Sequence, residues 1–357
     1  MSGSGSRAWI DVDLGALVEN ARTVARIAGA KLLPVVKANA YGLGAVAVAR
    51  ALEQVDPWGY GVATIEEGAE LRAAAITRPI LVFMPARAQL FDQYDLHQLT
   101  PALGDAGSIL EWTTRGERAF HVEIDTGMGR AGVRWDEIDE LGEAVDTAAF
   151  EGCYTHLHSA DRNDGSAERQ VERFLDAVKR LPRRPALLHV ANSAAALRGK
   201  AFAFDLVRPG IFLFGGSPGE GFEQPQPVVS VRARVLSVRR IRKGESVSYN
   251  ASWVAPRDTV IATLGIGYAD GVRREVGVRG GGQVLLRGKR CPIVGVVQMD
   301  MTLVETGAVE VQVGDIATLV GEEATQGITL NEFAAWSGQL PHELLVELGQ
   351  RLPRVYG

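Results

Sequence analysis

Residues 9–221 alternate between short apolar runs and stretches in which apolar residues recur every third or fourth position. Apolar runs that end in turn residues are typical of buried parallel strands, and the wider spacing predicts amphipathic helices. The run at 9–12 is followed by Asp13, which we expect to cap a helix with Leu14 and Leu17 on its apolar face. The pattern therefore predicts an α/β fold.

The strand-and-helix unit repeats eight times, counted from the run that ends at Lys37, and only the last run lacks a following helix. The expected strands cover residues 32–37, 59–64, 79–84, 99–104, 119–127, 150–160, 185–192 and 205–214. No G-x-G-x-x-G turn follows the first strand, as it would in an open dinucleotide-binding sheet. The repeats therefore predict a closed (β/α)8 barrel of the TIM type.

The pattern changes after a polar, proline-containing stretch near residue 222. Apolar and polar residues alternate there, and glycine turns separate the runs, which is typical of antiparallel strands. We therefore expect the barrel at 7–221 and a smaller, mostly antiparallel β domain at 222–357. The strand at 9–12 fits either unit, and residues 1–6 are interpreted as a flexible leader or a cloning remnant.

Composition and charge exclude several classes of protein. The 357 residues are 46% hydrophobic and 23% charged, as in soluble globular proteins, and the net charge of −5 offers no field for nucleic acid or an anionic membrane. Cys153 and Cys291 lie in strand-like runs, so we expect a reducing compartment without a disulfide framework. Neither a membrane span nor a signal peptide is present, so we expect a cytoplasmic protein without a membrane partner.

A single lysine stands at the end of a buried strand. Lys37 follows the run LLPVV and precedes a turn of small residues that also carries Tyr41. Lysines in such places serve as phosphate clamps, general bases or Schiff-base formers. The alternative is a lysine whose stem is buried and whose head reaches water, and Lys37 alone does not decide between the two.

Other strand ends also carry polar groups, and in a barrel the reactive side chains lie at the carboxyl ends of the strands. Besides Lys37, these ends supply Tyr41, Arg130, His156, His158, His189, Asn192, Ser193, Arg208, Gly210 and Ile211. Ser193 at a helix start and the backbone of Gly210 can present N–H groups to an anion, although each alone is usually a cap or a turn. Together these groups suit pyridoxal 5'-phosphate bound to a lysine.

Nine motifs carry a resemblance to a known family. They are WIDVDLGALVEN, VVKANAYGLGA, EIDTGMGRAG, THLHSAD, HVANSAAAL, VRPGIFLFG, LGIGYADGVRR, VGVVQMD and RLPRVY, in this order and spacing. The chain resembles the alanine racemase family of fold-type III pyridoxal-phosphate enzymes. The resemblance implies a barrel with a β domain, a homodimer whose active site is completed across the interface, and interconversion of L-alanine and D-alanine for cell-wall peptidoglycan.

The resemblance also implies which residues bind the cofactor. Lys37 would hold it covalently, Arg208 would face the pyridine nitrogen with His189 behind it, and His156 would lie against the ring. The residues that would hold the phosphate are Tyr41, Ser193, Gly210, Ile211 and Tyr356. An arginine in that place keeps its own proton, so the ring would stay neutral and be a weaker electron sink.

Racemisation needs a base on each face of a planar carbanion. By the resemblance, Lys37 serves one face and Tyr268 of the other subunit the second face, while Arg130 and the backbone of Met299 receive the substrate carboxylate. The reference pKa of a tyrosine side chain is about 10, so full ionisation at neutral pH would require roughly 4 kcal/mol from its surroundings. Nearby cations can supply part of that, and no metal is required.

Three other functions remain open. A metal-dependent barrel hydrolase would draw its ligands from two neighbouring strands: His121, Glu123, Asp125, His156 and His158. A non-catalytic pyridoxal-phosphate-binding protein would share the barrel and the lysine but end after the barrel. A decarboxylase of the same fold type would place an acidic residue where Arg208 stands. Tyr268, taken alone, is also compatible with an aromatic residue that packs at a strand end.

Three positions depart from the family pattern. Glu123 stands where many members carry a carbamylated lysine, and its shorter side chain is expected to meet Arg130 only through water or across a gap, without a carbamate. Leu43 and Gln298 replace a usual histidine and a frequent cysteine near the entrance or the interface. We expect alanine as the substrate and serine as a slow one, with a racemase of broader amino-acid specificity as the alternative.

Overall fold

The computed structural model describes residues 5–279 and 281–357, so residues 1–4 of the expected leader lie outside the described residues. Within these ranges, the strands before the linker are β1 Ala8–Val12, β2 Lys31–Leu32, β3 Tyr60–Val62, β4 Ile80–Pro85, β5 Thr100–Leu103, β6 Phe120–Asp125, β7 Val133–Arg134, β8 Phe150–Tyr154, β9 Leu187–His189 and β10 Leu206–Val207. The strands after it are β11 Val229–Ile241, β12 Ser246–Val247, β13 Trp253–Val254, β14 Thr259–Leu264, β15 Gln283–Leu286, β16 Lys289–Pro292, β17 Thr302–Glu305, β18 Ile316–Glu323, β19 Gln326–Ile328 and β20 Arg354–Tyr356.

The helices lie mostly between the barrel strands. They are α1 Leu14–Ala28, α2 Lys37–Tyr41, α3 Ala45–Leu52, α4 Ile65–Ala73, α5 Phe91–His97, α6 Ala106–Thr113, α7 Ser166–Arg180, α8 Ser193–Leu197, α9 Leu330–Ser337 and α10 Pro341–Glu347. Short 3-10 helices cover Glu53–Val55, Ala88–Leu90, Trp135–Val145, Ile211–Phe214, Tyr249–Ala251, Tyr268–Asp270 and Arg274–Gly277. Within the described ranges, none of the helices combines the length and the apolar character needed to span a membrane.

Eight parallel strands form the barrel. Strands β3, β4, β5, β6, β8 and β9 pair in that order, and β10 pairs with β2. The ring closes because Val35 bridges Gly61 and the Asp205 N–H donates to the Leu188 carbonyl at 3.0 Å. The expected (β/α)8 barrel is confirmed, and the carboxyl ends of all eight strands share one rim.

Helix α1 shows how the sequence pattern becomes packing. Asp13 caps it as expected, since its side chain accepts the Ala16 N–H at 2.8 Å. Leu17 and Val24 turn inward and are fully buried. The helix ends at Gly29, whose φ of 65° gives the left-handed cap that glycine adopts without strain. The periodicity of apolar residues therefore sets which face of α1 covers the barrel.

The second domain is a mostly antiparallel sheet, as expected. Its central strand β11 pairs antiparallel with β14, β18 and β1. Strand β1, the run that fitted either unit, also pairs in parallel with the last strand β20. The two ends of the chain therefore lie side by side in this sheet, next to the barrel rim that residues 31–43 help to form.

Several expected strands are shorter than predicted. The run at 32–37 is a strand only at Lys31–Leu32, so Lys37 begins helix α2 instead of ending a strand, and the run at 185–192 is a strand only at Leu187–His189. The run at 150–160 stops being a strand after Tyr154, so His156 and His158 lie in the loop beyond it rather than on one side of a strand. The run at 205–214 is a strand only at Leu206–Val207, and Ile211–Phe214 is a 3-10 helix. In these places the apolar pattern reflects burial at the rim, which loop residues share with strand residues.

Candidate active site

Lys37 lies at the barrel rim, held between two neighbouring strands. The Val35 N–H donates to the Pro209 carbonyl and the Val36 N–H to the Gly61 carbonyl, both at 2.9 Å. Lys37 is exposed to water in the single chain, although neighbouring protein atoms partly desolvate its ammonium group. Burial, and then the charge of Arg130, lower the pKa of its ammonium. A lysine with a lowered pKa is a better nucleophile and base at neutral pH.

The turn after Lys37 is left-handed. Residues 38–41 all have φ between 51° and 55°, although none is glycine. This conformation costs roughly 1–2 kcal/mol for each such residue. Two side chains hold it, because Glu67 accepts the Ala38 N–H and Asn39 accepts the Ala45 N–H, each at 2.7 Å. Strain of this kind concentrates at functional sites, where the surrounding structure maintains it.

The turn places Tyr41 against Gly210. A Cβ added at position 210 would lie 2.3 Å from the Tyr41 hydroxyl, so only glycine allows this approach. The Tyr41 ring packs on Phe214 with a centroid distance of 4.7 Å. Burial raises the pKa of Tyr41 to about 12, so the phenol stays a neutral hydrogen-bond donor. Tyr41 and Gly210, far apart in the sequence, thus form one wall.

Ser193 joins this wall through its hydroxyl rather than its backbone. Its Oγ accepts the Gly210 N–H at 2.9 Å and the Phe212 N–H at 3.4 Å. The Gly210 N–H is thus paired with Ser193 in this structure, and its binding to an anion stays a prediction. The hydroxyl proton of Ser193 is still available for donation. Ile211 is the first residue of a 3-10 helix, and N–H groups in a first turn lack partners within the helix.

Tyr356 approaches the same turn from the C terminus. Its hydroxyl donates to the Leu43 carbonyl at 3.0 Å, and a Cβ at Gly44 would lie 2.1 Å from that hydroxyl. Leu43, one of the positions that departs from the family pattern, is fully buried. The last strand of the chain therefore reaches the turn that follows Lys37.

Arg208 is almost fully buried beneath the rim. Its Nη1 donates to the His189 carbonyl at 2.6 Å and its Nη2 to the Thr155 carbonyl at 2.7 Å, while Nη1 also lies 3.1 Å from Nδ1 of His189. Among the described residues, Nε has no protein partner. Burial lowers the pKa of Arg208 to about 10, so it remains a cation. A fixed cation with one free N–H suits an aromatic nitrogen acceptor.

A chain of polar groups runs from Arg208 through the barrel interior. Because arginine only donates, His189 Nδ1 must accept, and its Nε2 then carries the proton toward His121 Nδ1, 2.8 Å away. His121 Nε2 lies 3.2 Å from Glu151, which is partly exposed. Burial lowers the pKa of His189 far below its usual value. The imidazoles of His189 and His121 thus connect Arg208 to the carboxylate of Glu151.

His156 lies on the loop after β8, close to three cations. Burial, and then Arg208, Arg130 and Lys37, lower its pKa to about 3, so the imidazole is neutral at neutral pH. A neutral, half-buried ring beside Lys37 offers a flat face without adding charge. This agrees with a stacking role and leaves the positive charge of the site on the arginines and Lys37.

Arg130 is exposed at the rim, opposite the buried Glu123. Its Nη2 lies 3.9 Å from a Glu123 oxygen, beyond hydrogen-bond distance, which confirms the expected gap. The other Glu123 oxygen accepts from the Tyr154 hydroxyl at 3.2 Å. Burial raises the pKa of Glu123 and the Arg130 charge lowers it. Arg130 is thus only loosely held and remains available to a carboxylate from outside.

Tyr268 and Met299 lie together on the β domain. The Tyr268 N–H donates to the Gln298 carbonyl at 2.9 Å, and the Ala269 N–H donates to the Met299 carbonyl at 3.0 Å. Both side chains are exposed, Tyr268 by 40% and Met299 by 53%. The groove beside Tyr268, about 540 Å3 in volume, is lined by Gly271, Arg273, Arg274, Glu275 and Glu347, and not by Lys37 of the same chain.

The structure therefore divides the predicted site residues into two groups. One group meets at the barrel rim, with Tyr356 joining it from the C terminus: Lys37, Tyr41, Arg130, His156, His189, Ser193, Arg208, Gly210, Ile211 and Tyr356. Tyr268 and Met299 form the second group on the β domain. No cluster of three metal-ligating side chains occurs in the described part of the chain, and His121 bonds to His189 and Glu151 instead.

Sequence reasoning missed two rim residues and one buried carboxylate. Tyr154 stacks on His189 with a centroid distance of 5.0 Å and lies under the Arg208 guanidinium. His342 lies 6.0 Å from the Tyr41 ring, and burial and then Lys37 lower its pKa. Asp270, in the IGYADG motif, is completely buried. The motif itself was the only available signal for Asp270, and none marked His342.

Comparisons with known proteins agree with this geometry. The family model of the alanine racemase N-terminal domain matches residues 12–218, and that of the C-terminal domain matches residues 228–356. An alanine racemase of Carboxydothermus hydrogenoformans is 37% identical over 98% of this chain and 99% of its own, and one of Symbiobacterium thermophilum is 38% identical over 98% and 97%.

A solved structure extends the likeness to three dimensions. The alanine racemase of Bartonella henselae, with covalently bound pyridoxal phosphate, is 32% identical and superposes with a TM-score of 0.90 over 99% of this chain and all of its own. The family models together cover both structural units, and the relatives match over nearly their full lengths. The chain therefore belongs to the alanine racemase family.

Proposed function

We propose that this protein interconverts L-alanine and D-alanine with pyridoxal 5'-phosphate held at the barrel rim. What supports this is a lysine of lowered pKa at the same barrel rim as a buried arginine and a wall of Tyr41, Ser193 and Gly210. A hydrolase gives no reason for that combination, and a simple carrier gives none for the β domain that bears Tyr268. The product D-alanine would supply cell-wall peptidoglycan.

The rim residues fit the cofactor in three respects. Tyr41 and Ser193 each keep a hydroxyl proton to donate, and Gly210 leaves a space that a Cβ would fill. Arg208 keeps Nε free for the pyridine nitrogen, and Lys37 supplies the amine. When bound, the cofactor supplies an electron-withdrawing ring that stabilises negative charge at the substrate α-carbon.

The residues around the α-carbon then have distinct tasks. Arg130 and the Met299 backbone bind the substrate carboxylate, and the neutral His156 covers the ring. Lys37, once released from the cofactor, moves a proton at one face of the α-carbon, and Tyr268 moves one at the other face. Two bases of different type on opposite faces allow each enantiomer to be made from the other.

We also propose a homodimer in which Tyr268 of one chain completes the site of the other. Within one chain, the groove at Tyr268 does not include Lys37. The surface around Tyr268 exposes Met299, Met301 and Tyr249, which is unusual for apolar side chains that stay in water. The rim exposes Met128 beside Arg130. Both apolar surfaces would be buried if the β domain of one chain covered the barrel of another.

Mixing two inactive variants tests the shared site. Lys37→Ala and Tyr268→Phe chains, unfolded together and refolded, would form mixed dimers in which one site has both residues and the other has neither. With random pairing, about a quarter of wild-type activity should return, because half of the dimers are mixed and each holds one complete site. No recovery, with mixed dimers present by mass spectrometry, would place both bases in one chain and overturn the shared site.

Substrate range needs a separate measurement. One methylene in a pocket changes selectivity by only about 1–3 kcal/mol, so racemases of broader specificity share the same rim residues. We expect alanine to be racemised fastest and serine slowly. Rates for a panel of L-amino acids decide the point, and faster turnover of lysine or arginine than of alanine would contradict this choice. The free thiols of the buried Cys153 and Cys291 agree with a cytoplasmic protein.

A further inference from the structure

A chain of alternating charges lies directly behind the Tyr268 turn. Asp270, two residues after Tyr268, is completely buried and accepts from both terminal nitrogens of Arg7, at 2.7 and 2.9 Å. Arg351 Nε lies 3.4 Å from the same carboxylate, and Arg351 Nη2 lies 2.6 Å from Asp300. We call Arg7, Asp270, Arg351 and Asp300 the arginine–aspartate chain.

The arginine–aspartate chain contacts both segments of the β-domain half of the site, the one with Tyr268 and the one with Met299. Asp270 also accepts the Gly267 N–H at 3.0 Å, which closes the turn around Tyr268, and Arg7 donates to the Gly265 carbonyl just before it. Asp300 directly follows Met299. One charged network therefore holds the segments of Tyr268 and Met299 together.

The backbone segments joined by the arginine–aspartate chain are packed so closely that they have little freedom to move independently of one another. A Cβ at Gly267 would lie 2.3 Å from the Gln298 carbonyl, so the two segments are in close contact. The Gly349 N–H donates to the Asp270 carbonyl at 3.0 Å, which ties in the segment that carries Arg351. The side chain of Tyr268 itself is exposed, so its direction depends on the turn beneath it.

We propose that the arginine–aspartate chain positions Tyr268 for proton transfer, with Arg7 as its decisive member. This inference rests on the proposed role of Tyr268 as a base. Arg7 binds Asp270 through a two-pronged contact that lysine cannot reproduce. Arg7 lies next to the expected leader and 263 residues from Asp270 along the chain. Arg7, beside the leader, thus orients Tyr268, which acts as a base in the site of the neighbouring subunit.

The test compares Arg7→Lys, which keeps the charge but loses the fork, and Asp270→Asn with a matched control. The control is Arg287→Ala, which removes another two-pronged arginine–aspartate contact of the same domain, with Asp315, away from Tyr268. We expect kcat to fall about tenfold to a hundredfold in the two test variants, as for a misplaced reacting group, with KM nearly unchanged. Arg287→Ala should keep wild-type kcat.

A second readout separates positioning from general stability. Exchange of the substrate α-hydrogen with deuterated solvent should fall on the face served by Tyr268 and stay unchanged on the Lys37 face. In a Tyr268→Phe background, adding Arg7→Lys should cause no further loss of racemisation, because both changes remove the same function. Unfolding temperatures of Arg7→Lys and Arg287→Ala are measured alongside, so that a folding defect is recognised.

The outcomes distinguish the two proposals. If Tyr268→Phe racemises alanine at the wild-type rate, the proposed role of Tyr268 fails, and the positioning role fails with it. If Tyr268→Phe is impaired but Arg7→Lys and Asp270→Asn are as active as wild type, only the positioning role is overturned. Equal losses on both faces, or a loss that multiplies with that of Tyr268→Phe, would also overturn it, because the arginine–aspartate chain would then act only on stability.

Discussion

The two halves of the proposed active site are built in opposite ways. The barrel half is buried and internally bonded: His189 is fully buried, Arg208 is 4% exposed, and the turn after Lys37 is strained but held. The β-domain half exposes the groups proposed to react, Tyr268 and Met299, and is held by hydrogen bonds beneath its surface. A single chain thus preorganises the cofactor end of the proposed site, whereas the end with Tyr268 stays exposed.

The largest effect is expected when Lys37, the central residue of the barrel half, is replaced. Lys37→Ala removes the residue proposed as covalent attachment and as one base, so we expect racemisation to fall by at least about 10⁴-fold, the upper end of what a general base contributes. The measurement is the rate from each enantiomer, together with the absorbance of the lysine-bound cofactor, which should disappear. Restoration of racemisation by added methylamine would support the amine role, and substantial activity without it would contradict that role.

Tyr268→Phe should abolish proton transfer by the β-domain half and leave that of the barrel half intact. We expect racemisation to fall by about 10²- to 10⁴-fold, because one of two bases is lost. Deuterium should still enter alanine from the Lys37 face. Tyr94→Phe, at a tyrosine of helix α5 that packs on Phe91 and Trp112, is the control and should keep wild-type rates. Equal loss of exchange on both faces would show that the two halves are not independent.

Much of the barrel half could be predicted from the sequence, because each strand end carries its reactive residue next to an apolar run. Lys37, His189 and Arg208 were found in this way. The hydrogen bond between His121 and His189 could not be found, since it depends on how β6, β8 and β9 are aligned. Strand alignment is set by packing of the whole barrel and has no local signal.

The left-handed turn and the arginine–aspartate chain escaped prediction for different reasons. Ala38 and Ala40 favour right-handed helix, and tertiary contacts of Glu67 override that preference. Arg7 and Asp270 come together only because β1 pairs in the sheet of the β domain. Tyr268 itself was recognised through the IGYADG motif, so the resemblance supplied what residue patterns in the β domain could not.

Acid should weaken the barrel half through its buried histidines. Because the pKa of His189 is far lower in the folded chain than in the unfolded one, the unfolded state binds more protons below about pH 6.5. The free energy of unfolding is therefore highest above that pH and should fall by about 1.4 kcal/mol per pH unit for such a group as the pH drops.

Urea unfolding between pH 7.5 and 5.5 measures this dependence. His189→Gln should have a shallower decline than wild type, whereas His158→Gln, at an exposed histidine on the rim loop, should not change it. An identical decline in wild type and His189→Gln would show that the buried imidazole does not contribute.

The smallest effect is expected from changing Glu123, which lies opposite the proposed substrate-binding residue Arg130. The pair of Glu123 and Arg130 is separated by 3.9 Å and half open to water, so it resembles surface pairs worth about 0.2–1 kcal/mol. Glu123→Gln should therefore raise KM only about two- to fivefold, with kcat retained. Bicarbonate should not stimulate the wild-type enzyme. A carbamate on any lysine of the site, found by mass spectrometry, would contradict this account.

The pairing of β1 with β11 and β20 also constrains how the chain folds. The amino-terminal strand leaves the ribosome first, yet its partners follow more than 200 and more than 300 residues later. Contacts this distant form slowly, and an unpaired strand edge invites association with other chains. Arg7 can reach Asp270 only after this late closure, so synthesis must finish before the tyrosine turn acquires its final support.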